Sequence, residues 1–140
     1  MMNHEHRFYK KDLSMETRRL GRTGYSISFI TFGSFALLEA SDNEAEATIE
    51  MVLERGITHF DVSPMYGRAE EHIGAWIKRN QKHFTLGCKT HERLKEQAWE
   101  SINRSLERLH MDCFDLFQFH GVDDIKTLDI IFSRKSVESL

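Results

Sequence analysis

Asp61, Lys89 and His120 stand at the C-terminal ends of three short apolar runs, ITHFDV (57–62), HFTLGCK (83–89) and CFDLFQFH (113–120). A phenol, Tyr66, follows the first run in the loop segment SPMYG. If the runs are strands, side chains alternate between two faces. Asp61 then shares a face with His59, while Phe60 and Val62 point the other way. Lys89 shares a face with Gly87 and Thr85, leaving Leu86 and Cys88 opposite. His120 shares one with Gln118 and Leu116. A carboxylate, an ammonium, an imidazole and a phenol gathered at one rim can exchange protons with a bound molecule. Singly, each residue has a plainer reading: a turn tyrosine, a solvated lysine. His59 and Gln118 are expected to be core or supporting polar residues.

The elements that would position this set read as a hairpin followed by repeated strand–helix units. Two alternating segments flank Gly21-Arg22-Thr23-Gly24, a plausible turn because glycine tolerates positive φ. FITFG (29–33) is a first short strand. Asp42 or Asn43 could cap a helix running to Arg55, with Ala45, Ile49, Val52 and Leu53 on one face. Ile73, Trp76 and Ile77 give a helical stripe over 69–80. Leu94, Ala98, Ile102, Leu106 and Leu109 give another. A further helix starts near Asp124. Alternating strands and helices imply a parallel sheet. Trp76 and Trp99 are expected between helices and sheet. His72, His83, His91 and His110 are expected at the surface, as is the acidic stretch 39–50.

The chain has 140 residues, 40% hydrophobic and 29% charged, which fits one modest globular domain. Net charge is −3, with no basic run, so nucleic-acid binding has no electrostatic footprint. No apolar stretch is long enough to suggest a membrane span, and the polar N-terminus does not read as a signal peptide. A cytoplasmic protein is expected, with Cys88 and Cys113 as reduced, buried thiols. His4-x-His6 reads as solvated. No Gly-x-Gly-x-x-Gly fingerprint is present, which weakens a doubly wound dinucleotide-binding reading.

Several segments together resemble the aldo-keto reductase family. They are Arg19-Leu20-Gly21-Arg22-Thr23-Gly24 with Ser28, then Gly56 through Gly67 with Glu71 and Gly74, then Lys89-Thr90, then Ser105 through Leu109 leading to Asp115-Leu116 and His120. Asp61-x-Ser63-Pro64-x-Tyr66-Gly67 is the most specific piece. The resemblance implies a (β/α)8 TIM barrel closed at its bottom by the hairpin, and reduction of aldehydes or ketones with NADPH, or the reverse oxidation, without a metal. It implies Tyr66 as proton donor, Lys89 as the ammonium that lowers its pKa, Asp61 as that ammonium's partner, and His120 as the group hydrogen-bonding the carbonyl oxygen. Gly33, Ser34 and Phe35 match the small part of the first half that approaches the cofactor.

A full barrel typically needs about 250 residues. The expected organisation is therefore an N-terminal arm (1–15), the N-terminal half of a barrel with about four βα units (16–124), and a divergent, partly helical segment (125–140). Half a barrel leaves open sheet edges, so self-association is expected. The resemblance implies that most cofactor contacts belong to the other half. NADP binding is expected to be impaired and the chain alone to be inactive or incomplete. The alternative is a non-catalytic remnant or interaction subunit that keeps a carbonyl-shaped pocket. The substrate is not legible in the sequence.

Overall fold

β1 (Thr17–Arg19) and β2 (Ser26–Ser28) pair antiparallel, with Thr17 opposite Ser28. The turn between them holds because Gly21 and Gly24 sit at φ of 51° and 84°, where a Cβ is disfavoured. Ser28 ties the hairpin onward. Its amide donates to Thr58 Oγ1 at 3.2 Å, and the Thr58 amide donates back to Ser28 Oγ at 2.9 Å. This computed structural model describes residues 15–133. His4-x-His6, nearly all of the N-terminal arm and residues 134–140 lie outside that range.

A second sheet is parallel and has four strands: β3 (Phe32–Gly33), β4 (His59–Asp61), β5 (Thr85–Thr90) and β6 (Leu116–Phe119), side by side in chain order. A 3-10 turn (Ser34–Leu37) and α1 (Asp42–Glu54) follow β3. α2 (Ala69–Arg79) follows β4, α3 (Lys95–Leu109) follows β5, and α4 (Ile125–Ile131) follows β6. The expected hairpin and four βα units are all present.

Strand alternation sorts the side chains as the sequence pattern requires. Phe60, Val62, Leu86 and Cys88 are fully buried against the helices, with Leu37, Ile49, Ile73 and Leu109. Each such large apolar side chain contributes about 1.5–3 kcal/mol by leaving water. Phe60 stacks on Phe84 with ring centroids 4.2 Å apart. The opposite face keeps Asp61, Thr85 and Lys89 half-buried.

Several expectations are corrected. Ser41, rather than Asp42 or Asn43, caps α1. Its amide donates to Glu44 Oε2 at 2.9 Å and its hydroxyl accepts from the Glu44 amide at 3.4 Å, a reciprocal capping box. The run 29–33 forms a strand only at Phe32–Gly33, because β3 is an edge strand paired on one side by two residues. His72 is buried. Ala69, His72, Ile73 and Trp76 form one i, i+3, i+4, i+7 stripe on α2, so the histidine inherits the core face. Trp99 is 54% exposed, and Cys113 is exposed too.

α3 explains the Trp99 error. Its buried stripe is Ala98, Ser101, Ser105 and Leu109, not the larger Ile102 and Leu106. Small residues face inward because α2 and α3 approach very closely at Gly74. A Cβ there would sit 1.9 Å from the Arg108 carbonyl oxygen. Beside this crossing, the fully buried Glu70 accepts from Arg108 Nη1 at 2.9 Å. A buried carboxylate needs such a partner. Burial, and next the charge of Glu70, push the Cys88 thiol up to about 12.

Candidate active site

The sheet register brings the four site residues together. Asp61 lies between Gly33 on β3 and Gly87 on β5. Lys89, one row further along β5, reaches over glycine-lined space to Asp61, and its ammonium donates to Asp61 Oδ2 at 2.8 Å. The pair is largely shielded, with Lys89 15% and Asp61 24% exposed. His120 stands one residue beyond β6, yet its amide still donates to the Thr90 carbonyl at 2.8 Å. That bond holds the imidazole at the height of the Lys89–Thr90 strand end.

Tyr66 comes from the loop after β4, where its amide donates to the Ser63 carbonyl at 2.9 Å. Its ring is edge-on to Phe35 (centroids 5.4 Å apart) and to His120 (5.9 Å), and the Lys89 ammonium lies 5.5 Å from its centroid. The phenol, ammonium, carboxylate and imidazole therefore form one cluster at the C-terminal ends of the strands.

Electrostatics follow from this packing. Burial pulls the Lys89 ammonium down, but Asp61, and after it the Tyr66 phenol, outweigh burial and hold it above the ordinary lysine value. It remains a cation. Burial holds His120 below the ordinary imidazole value, and His91, Lys89 and Arg93 push the same way against Asp61. Neutral imidazole is thus the favoured form near pH 7. His59, under Asp61, is also held down, first by burial; its Nδ1 lies 2.8 Å from Thr85 Oγ1.

The segment expected to approach a cofactor divides in two. Gly33 is exposed, and a Cβ there would meet nothing within 4 Å. Phe35 presents a ring that is 61% exposed. Ser34 is buried, and its hydroxyl donates to the Asp61 carbonyl at 2.8 Å. Gly33 borders open space, and Phe35 presents its exposed ring beside Tyr66. Ser34 braces β3 against β4. The residues present fit the reactive end of a nicotinamide cofactor.

Three contributing residues escaped the sequence reading. Ser63 Oγ is 3.2 Å from His120 Nδ1 across 57 positions of chain. Arg93 donates to the carbonyls of Thr90 (3.2 Å), Gly121 (3.3 Å) and, closest, His120, clamping the ends of β5 and β6 together. His91 lays its ring 4.0 Å from that of His120. Ser63 lies inside the quoted Asp-x-Ser-Pro motif, but nothing in local spacing announces its distant partner.

A sequence model of the aldo/keto reductase family matches residues 29–135. The chain belongs to the aldo/keto reductase family. Among curated relatives, L-galactose dehydrogenase of Arabidopsis thaliana is 31% identical, over 86% of this chain and 42% of its own length. An aldo-keto reductase of Schizosaccharomyces pombe, whose name specifies NADP(+), is 33% identical over 91% of this chain and 43% of its own. An aldo-keto reductase structure from Pseudomonas aeruginosa superposes with a TM-score of 0.80 at 26% identity, covering 91% of this chain and 53% of that one. The chain thus spans about half or less of these aldo-keto reductases. Its hairpin and four βα units are part of their (β/α)8 barrel.

Proposed function

We propose that this chain carries the proton-donating and carbonyl-binding site of an NADPH-dependent reductase of aldehydes or ketones, working also in the oxidative direction. The observation that carries this reading is the contact of the Tyr66 ring with both the Lys89 ammonium and the His120 imidazole. When bound, the cofactor supplies the hydride. Tyr66 donates the proton that the reduced oxygen must receive. Lys89 stabilises the phenolate left behind, and Asp61 fixes that ammonium in place. His120, neutral, hydrogen-bonds the carbonyl oxygen and helps polarise it. Gly33 and Phe35 border the cofactor's ring, and Ser34 keeps them in register with Asp61. The NADP(+) in the name of the fission yeast relative supports the cofactor class.

Cofactor binding by this chain is proposed to be weak. Lys89 is committed to Asp61, and Arg93 to backbone carbonyls, so neither is available to phosphates. The engagement of both cations favours a second reading, an interaction subunit that binds carbonyl compounds without turning them over.

NADPH consumption with a panel of aldehydes and ketones separates the two. The expected result is slow consumption with at least one compound, falling about 100-fold or more in Tyr66→Phe, the contribution of a positioned acid. Equal rates in Tyr66→Phe would defeat the assignment of the acid. Consumption with no compound, while a carbonyl ligand still shifts the His120 NMR signals, would establish the second reading.

A further inference from the structure

Ser63 is fully buried, and its hydroxyl has two partners among the described residues. The Met65 amide donates to Ser63 Oγ at 3.2 Å. His120 Nδ1 lies at 3.2 Å on the other side. A hydroxyl owns one proton and two lone pairs. The Met65 N–H takes one lone pair. If His120 carried its proton on Nδ1, that N–H would take the second. The Ser63 proton would then be buried with no acceptor, an arrangement folded proteins avoid. If Nδ1 is bare, it accepts the Ser63 proton and every group is satisfied.

We propose that Ser63 is a positioning residue that selects the tautomer of His120, holding Nδ1 as an acceptor and placing the ring proton on Nε2. Its bearing on catalysis rests on the reading of His120 as the carbonyl-binding group. A carbonyl oxygen has no proton to give, so the imidazole can bind it only as a donor. Nδ1 is engaged by Ser63, which leaves Nε2 as the nitrogen for substrate, and the tautomer set by Ser63 is the one that arms it. The depressed imidazole value agrees with a ring kept neutral. The groups facing His120 are Asp61 on β4, Ser63 and Tyr66 in the following loop, Lys89 on β5, and His91 and Arg93 just beyond it.

The test is 15N NMR of the histidine rings in the full chain, with neither cofactor nor substrate added. At pH above the His120 transition, the expected spectrum shows an unprotonated Nδ1 and a protonated Nε2. In Ser63→Ala the ring is expected to become a mixture of tautomers, and its titration midpoint to rise, because a donor to the neutral form has gone. A wild-type spectrum with the proton on Nδ1, or with mixed tautomers, overturns the proposal without any variant. An Ser63→Ala spectrum that is folded and unchanged does the same. These spectra read Ser63 alone, whereas the Tyr66→Phe rates read the reductase assignment, so the two can fail separately.

Discussion

At His120 the balance of neighbours has a consequence for stability. Its value in the fold lies below the ordinary 6.5, chiefly through burial, and His59 is depressed for the same first reason. The unfolded chain therefore takes up protons on these rings before the folded chain does. Their contribution to stability is intact above pH 6.5 and is lost as pH falls from there through the folded values. Glu44 and Asp124, held below ordinary carboxylates by Ser41 and Thr127 respectively, titrate lower still and leave this window to the histidines. Urea unfolding at pH 7 and pH 5.5 is expected to show lower stability at the acid end, with a smaller loss in His120→Gln. An equal loss in that variant would remove His120 from the account. Asp61, Lys89 and His120 were legible in the sequence because a strand's period of two, combined with their place at strand ends, fixes both face and height. Ser63, His91 and Arg93 were not. Their contacts join segments far apart in the chain, and no local pattern records which carbonyl a guanidinium will meet.

Among the elements, the crossing of α2 and α3 is the tightest constraint. Gly74→Ala places a methyl carbon 1.9 Å from the Arg108 carbonyl oxygen, and backbone, unlike a side-chain tip, cannot swing aside. The helices must separate, which also strains the Glu70–Arg108 pair. A loss of roughly 3 kcal/mol is expected from this overpacking, measured by chemical denaturation. A loss under about 0.5 kcal/mol, the size of an ordinary surface change, would show that the crossing is loose. The helices α1 and α2 were readable from their apolar stripes, and α4 from Asp124, whose carboxylate accepts from the Thr127 amide at 2.9 Å. On α3 the expected Ala98 and Leu109 are buried, but Ser101 and Ser105 take the inward places expected for Ile102 and Leu106. Hydrophobic periodicity weighs large side chains, whereas this face needs small ones to admit its neighbour, so Ser101 and Ser105 carried no signal. Ser101 instead meets Thr90 through their hydroxyls at 3.1 Å.

For the molecule as a whole, the four-stranded parallel sheet ends, among the described residues, at β3 on one side and β6 on the other. On α4, Ile125 is 72% exposed, and Phe132 just beyond it is 67% exposed. Free strand edges beside apolar surface favour pairing with another chain. Sedimentation at micromolar concentration is expected to show self-association of the 140-residue chain that weakens on dilution. A sharp monomer throughout that range would contradict it. The two cysteines offer a means of following such equilibria. Cys88 combines complete burial with a thiol pushed up to about 12, whereas Cys113 lies open to solvent. A maleimide dye at neutral pH would therefore label the native chain once, at the entrance to β6, and acquire a second attachment point only when the layer between sheet and helices opens. Counting dye per chain thus gauges the integrity of the interior, while the single native tag leaves the mouth with Tyr66 undisturbed.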